Sequence, residues 1–139
     1  MSGYLSATVL VVEDEALVRM LIVDELQRAG LTVLEAENGT RGLEQALNAP
    51  AIDLVLTDVK MPGPMDGLAL AREIRSTMPR VKIIVMSGQT GNWEANAVAD
   101  AFVSKPFECS ELVSVVKRLL RECPQSCATA TVSPVSLGR

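Results

Sequence analysis

Five residues of this 139-residue chain carry groups that could act together on one ligand: the carboxylates of Glu13, Asp14 and Asp58, the hydroxyl of Ser87 and the ammonium of Lys105. Each follows a short apolar run that reads as a strand. In an open parallel sheet, ligands bind outside the carboxyl ends of the strands, which is where these residues fall if the first, third, fourth and fifth strands are neighbours. Any one of them would pass for a solvated loop residue; five at the same ends of four strands form a constellation. Two carboxylates about 4 Å apart repel by about 4 kcal/mol at an effective dielectric of about 20, so three held together need compensation. One lysine leaves a charge of −2, which a divalent cation cancels. Oxygen donors without cysteine or histidine select a hard ion, Mg2+ first among them. Such an ion beside a nucleophilic carboxylate, a hydroxyl and a lysine is the equipment for holding a phosphoryl group, because phosphoryl transfer is mostly positioning and charge neutralisation.

The elements that must position these groups follow from apolar periodicity, in which β-branched runs alternate with longer amphipathic stretches. Residues 8–12 are continuously apolar, as a strand buried on both faces requires, and stop at Glu13-Asp14-Glu15. A helix over residues 15–29 carries Val18, Leu21, Ile22 and Leu26 and ends at Gly30. Residues 32–36 read as a second strand, with Asn38 as cap and Leu43, Ala46 and Leu47 as the stripe of a helix ending before Pro50. The third strand, 53–57, runs into Asp58 and a Pro- and Gly-rich loop before a helix with Leu68, Ala71 and Ile74. Residues 81–86 form the fourth strand, 89–100 one short helix suggested by Trp93, Ala97 and Val98, and 101–103 a brief fifth strand leading to Lys105-Pro106. Leu112, Val115, Val116, Leu119 and Leu120 mark the clearest amphipathic helix. The expectation is an α/β fold, a doubly wound five-stranded parallel sheet. Residues 1–7 would be an N-terminal extension, 8–122 the folded domain, and 123–139, rich in Ser, Thr, Ala and Pro, a disordered tail.

Length and composition narrow the function classes. The chain fits one domain, and with 48% hydrophobic residues it can bury a core without disulfides or metal. A net charge of −4 and four aromatic residues, Tyr4, Trp93, Phe102 and Phe107, argue against a nucleic-acid binder. There is no histidine, which excludes Ser-His-Asp and Cys-His nucleophile systems. Cys109, Cys123 and Cys127 are an odd set without a signal peptide before them, pointing to the reducing cytoplasm. No apolar run reaches the ~18 to 20 residues of a membrane span. Five of the six methionines, Met20, Met61, Met65, Met78 and Met86, read as packing residues.

With these motifs in order, the sequence resembles the receiver domain of bacterial two-component response regulators. The resemblance rests on Val11-Val12-Glu13-Asp14-Glu15, Leu56-Thr57-Asp58-Val59-Lys60-Met61-Pro62, Met65-Asp66-Gly67, Met86-Ser87-Gly88 and Lys105-Pro106-Phe107, and covers residues 8 to about 122. It implies a flavodoxin-like receiver fold. It also implies that Asp58 accepts a phosphoryl group from a phosphohistidine on a sensor histidine kinase or a histidine phosphotransfer protein. Asp14 would ligate Mg2+ directly, Glu13 largely through water, and the backbone carbonyl of Lys60 would complete the protein ligands together with Asp58. Ser87 and Lys105 would grip phosphoryl oxygens, the Lys105–Pro106 bond would be cis, and Phe102 would be the aromatic switch whose ring turns inward. A chain without histidine must find its phosphohistidine on another protein.

The same resemblance implies a stand-alone signalling domain rather than an enzyme, its output being the binding of an unknown downstream protein, with no nucleic acid or membrane involved. Two features depart from the family pattern. The loop 61–66 after the acceptor is one residue longer than usual, and only seventeen residues, 88–104, separate Ser87 from Lys105, so a shortened fourth helix is expected. Two rival readings exist. A phosphatase of the haloacid dehalogenase type would need an aspartate two residues after the nucleophile, where this chain has Lys60. A phosphate-independent interaction module would have no need of Asp14, Asp58, Ser87 and Lys105.

Overall fold

The structure, a computed structural model, describes residues 7–49, 51–88 and 98–122. Among the described residues nine elements follow one another: β1 (Thr8–Val12), α1 (Ala16–Arg28), β2 (Thr32–Ala36), α2 (Gly39–Asn48), β3 (Leu54–Asp58), α3 (Gly67–Thr77), β4 (Lys82–Ser87), β5 (Ala101–Ser104) and α4 (Cys109–Glu122). All strand pairs are parallel, in the order β2-β1-β3-β4-β5. The order reverses between β1 and β3, which opens a crevice at their carboxyl ends.

The continuous apolar runs are explained by a core on each face of the sheet. Val9, Val11, Leu54, Leu56, Ile84 and Met86 point to one side, where Ile22, Val23 and Leu26 of α1 and Leu112, Val116, Leu119 and Leu120 of α4 cover them. Their neighbours Leu10, Val12, Val55, Ile83 and Val85 point to the other, under Ala46 of α2 and Leu68, Leu70, Ala71 and Ile74 of α3. The period of two therefore operates with both phases apolar, and the polar residues of the central strands, Thr8, Thr57, Asp58, Lys82 and Ser87, stand at or next to the strand ends.

Helix ends follow local chemistry. Asn38 caps α2 by accepting the Arg41 N–H at 2.8 Å, as its position before the helix predicts, and Asp66 caps α3 by accepting the Ala69 N–H at 2.9 Å. Gly30, at φ 94°, ends α1.

Two helical stripes differ from expectation. Leu21, assigned to the buried stripe of α1, is 61% exposed, and Val23 takes the buried position. Leu47 of α2 is likewise exposed, while Gly39, Gly42 and Ala46 are buried. In both helices the apolar residues outnumber the positions that face the sheet, so periodicity alone overfills the stripe. The loop after β3 passes through an exposed bend, Pro62-Gly63-Pro64, with Gly63 at φ 98°. Met61 is buried on one side of this bend, and Met65 packs against the core on the other. The short helix expected over 89–100, with Trp93, falls mostly outside the described residues, as do the extension before Ala7 and the tail from 123 onward.

Candidate functional site

β1 and β3 end side by side, with Val12 opposite Thr57, so the residues that follow or close them, Glu13, Asp14 and Asp58, meet at the crevice. One carboxylate oxygen from each of the three lies within 4.8 Å of the others. β4 and β5 deliver the remaining groups, and the Lys105 N–H donates to the Ser87 carbonyl at 2.8 Å, which locks the two strand ends together. From there the Lys105 ammonium reaches Asp58 Oδ2 at 2.8 Å and Glu13 Oε1 at 3.3 Å.

The electrostatics of this cluster are lopsided. Glu13 is fully buried and Asp58 nearly so, while Asp14 is exposed. Burial is the main cause that pushes the Glu13 carboxyl above the ordinary carboxylate range; the N–H of Glu15 opposes it, the Asp58 charge adds to it, and Lys105 pulls it back. For Lys105, burial alone would lower the ammonium, but the hydrogen bond and charge of Asp58, joined by those of Glu13, hold it above its ordinary value. Three carboxylates against one lysine leave the cluster short of positive charge, and Glu13, Asp14 and Asp58 are the residues that could hold a metal ion. An all-oxygen donor set fits a hard divalent cation.

The sequence reading brought these residues together by strand ends, and the geometry assembles Glu13, Asp14, Asp58 and Lys105 in one cluster, with buried Ser87 at the adjoining strand end. Lys60 is exposed in the loop that starts at Val59, whose N–H donates to the Met86 carbonyl at 3.0 Å. Phe102 is half-buried on β5 and packs against the α2/α3 side of the core. The Lys105–Pro106 peptide is cis.

Three supports were not foreseen as such. Gly67, the first residue of α3, lies so close to Asp58 that a Cβ there would overlap the Asp58 carbonyl, and its N–H donates to the Val59 carbonyl at 2.8 Å. The buried Thr57 hydroxyl donates to that same Asp58 carbonyl at 2.9 Å. Arg19 donates to the carbonyl of Glu13 at 2.7 Å. The dipeptide Asp66-Gly67, a cap followed by the smallest residue, was the one visible signal of the first. Beside the cluster, a cleft of about 410 Å³ opens between α1 and the start of α4, bordered by Glu15, Val18, Leu21, Lys105, Phe107 and Cys109. The Cys109 thiol is pushed up by burial and by the Glu25 charge, which keeps it protonated and a poor nucleophile.

Residues 9–117 match the response regulator receiver domain. The chain belongs to that family. This receiver domain is 35% identical over 116 residues to the response regulator receiver protein CpdR of Brucella abortus, covering 81% of this chain and 95% of that protein. It is 45% identical over 123 residues to the sensor kinase CckA of the same species, covering 84% of this chain but 13% of CckA. Several curated relatives are much longer; the chain spans 24% of the transcriptional regulator NtrC of Escherichia coli. Among solved structures, a CheY-like receiver domain protein from Methanospirillum hungatei superimposes with a TM-score of 0.79 at 27% identity, covering 86% of this chain and 98% of that one. TrrA of Thermotoga maritima, solved in complex with Mg2+-BeF, matches with a TM-score of 0.75 at 36% identity over 81% of this chain and 98% of its own. The receiver domain thus carries the two-component response-regulator fold and its acidic cluster. Among the described residues, no helix is long and apolar enough to cross a membrane.

Proposed function

We propose that this receiver domain takes a phosphoryl group onto Asp58 from a phosphohistidine of a sensor histidine kinase or histidine phosphotransfer protein, with Mg2+ as cofactor. The observation that carries the reading is the lysine-bridged acidic cluster: a nearly buried carboxylate, Asp58, held by Lys105 at 2.8 Å within reach of Glu13 and Asp14. An oxygen of Asp58 attacks phosphorus, the P–N bond to the donor imidazole breaks, and the imidazole leaves with the bonding pair. Glu13, Asp14, Asp58 and the Lys60 carbonyl would hold the ion, which when bound would neutralise charge on the phosphoryl oxygens. Lys105 shifts from the Asp58 carboxylate to a phosphoryl oxygen, the Ser87 hydroxyl donates to another, and Phe102 turns into the space that Ser87 leaves. The product stays on the protein as an acyl phosphate, so the domain acts as a signalling switch in the cytoplasm and not as a turnover enzyme. Its output is the binding of another protein.

The donor needs a surface beside this opening. Leu17, Met20 and Leu21 stand at helical spacing on one face of α1 and are 75%, 60% and 61% exposed, next to the cleft that reaches Lys105. That apolar face supports docking of the phosphohistidine protein there. The reading is tested by incubating the protein with Mg2+ and acetyl phosphate: intact mass should rise by one phosphoryl group, and Asp58→Asn should stay unlabelled. Equal labelling of the variant would overturn the assignment.

A further inference from the structure

The main chain of Glu13 is held as tightly as its side chain. Its N–H donates to the Ala36 carbonyl at 3.1 Å, its Oε2 accepts the Glu15 N–H at 3.1 Å, and its Oε1 accepts Lys105. Its carbonyl lies just past the β1 ladder, and there it accepts Nη1 of Arg19, one turn into α1, at 2.7 Å. The other side of the same guanidinium is anchored: Nε donates to Glu35 Oε1, near the end of β2, at 3.1 Å, and the arginine side chain is only 19% exposed. The carbonyl of Glu13 and the amide nitrogen of Asp14 belong to one rigid plane. A group that fixes the carbonyl therefore fixes the tilt of the peptide joining the two acidic residues, and with it the place of the Asp14 Cα, which leaves only φ and the side-chain rotamer to aim the Asp14 carboxylate.

We propose that Arg19 is a positioning residue for the acidic pair, a guanidinium bracket between Glu35 and the Glu13–Asp14 peptide that sets the angle between the two carboxylates and so the affinity for the divalent cation. The inference rests on the reading that the cluster binds Mg2+. Arg19 touches neither metal nor phosphoryl group and works through the plane it holds. Arg19→Met keeps the aliphatic stem and removes both bonds; Arg19→Lys keeps the charge with one point donor in place of a planar fork.

The test is calorimetric titration with MgCl2, alongside melting in EDTA to show that each variant is folded. Arg19→Met should weaken Mg2+ binding about tenfold or more, the usual range for residues that orient a ligand, with Arg19→Lys in between. Acetyl phosphate labelling should then need proportionally more Mg2+ but reach within about twofold of the normal rate once Mg2+ saturates, a split that a general loss of structure would not produce. Glu35→Ala changes an exposed side chain, serves if Arg19→Met does not fold, and should weaken Mg2+ binding about threefold. Arg19→Met and Glu35→Ala proteins that bind Mg2+ as the wild type does would overturn the proposal while leaving the metal site standing. A wild-type protein that takes up no Mg2+ would overturn the reading of the cluster itself, and this inference with it.

Discussion

Acidic side chains stand at both edges of the sheet, and their surroundings could hardly differ more. At the amino edge, Asp53 accepts the Thr8 N–H at 2.9 Å, and Asp100 accepts the Ile83 N–H at 2.8 Å and Arg75 at 2.6 Å. Arg75 in turn reaches the carbonyls of Pro79, Val81 and Val98, so one cation closes the approaches to β4 and β5. Here each carboxylate finishes the hydrogen bonding of backbone that the ladder leaves open. At the carboxyl edge, Glu13, Asp14 and Asp58 instead crowd one another, with Lys105 bridging two of them. The residue types are the same, but one edge disperses its negative charge and the other concentrates it. Concentration is what a structural role does not require and a phosphoryl site does.

The comparison breaks if the amino edge proves dispensable. Asp100→Ala removes the acceptor of the Ile83 N–H and leaves the Arg75 guanidinium with carbonyl partners only, and should cost about 1.5 to 3 kcal/mol in urea unfolding, the range for hydrogen bonds to charged groups. Labelling of Asp58 by acetyl phosphate, at temperatures where the variant is folded, should remain near normal. A variant as stable as the wild type, or one that loses labelling while folded, would erase the distinction between the edges.

The carboxyl edge should show the opposite sign. Glu13 has its folded-state carboxyl raised above the ordinary value of 4.5, chiefly by burial. Its contribution to stability is therefore complete below that ordinary value and is lost as pH rises through the raised folded value. Without metal, Glu13→Gln should stabilise the protein near neutral pH by about 1 kcal/mol, and the gain should vanish toward acid. Mg2+ affinity of the wild type should climb over the same pH window, because the ion displaces that proton. Urea titrations across pH with and without Mg2+ check both. The smallest effect is expected at Asp53→Asn, which keeps an acceptor for Thr8 and should shift stability by less than about 0.5 kcal/mol with labelling unchanged.

Much of the fold was legible because its strands are buried on both faces and so appear as uninterrupted apolar runs. The run 8–12 stops where the sheet stops, and Glu13 therefore declares itself. β3 and β4 each begin and end one residue later than the apolar pattern places them, since Asp58 and Ser87 pair as the last strand residues while Asp53 and Val81 sit outside. The exposed Leu21 and Leu47 were misplaced because amphipathic spacing records which residues are apolar, not how wide a stripe the sheet can cover. The bracket of Arg19 was illegible for another reason: an arginine on an amphipathic helix looks solvated until the neighbouring strand ends are in place. Gly67 could not be valued from sequence either, because its role depends on how near α3 approaches Asp58.

That approach has a mechanical consequence. Where α3 meets β3, main chain presses on main chain, with the Gly67 N–H to Val59 carbonyl bond beside the contact and no Gly67 side chain between to yield. Such a joint leaves little room to move: a shift of the Asp58 carbonyl toward α3 would run into the first turn of that helix. The wall behind Asp58 is in this sense a stator. On the opposite flank the link is of another kind: Lys105 is tied to Ser87 by a single N–H to carbonyl bond and to Asp58 by the tip of a long, flexible side chain.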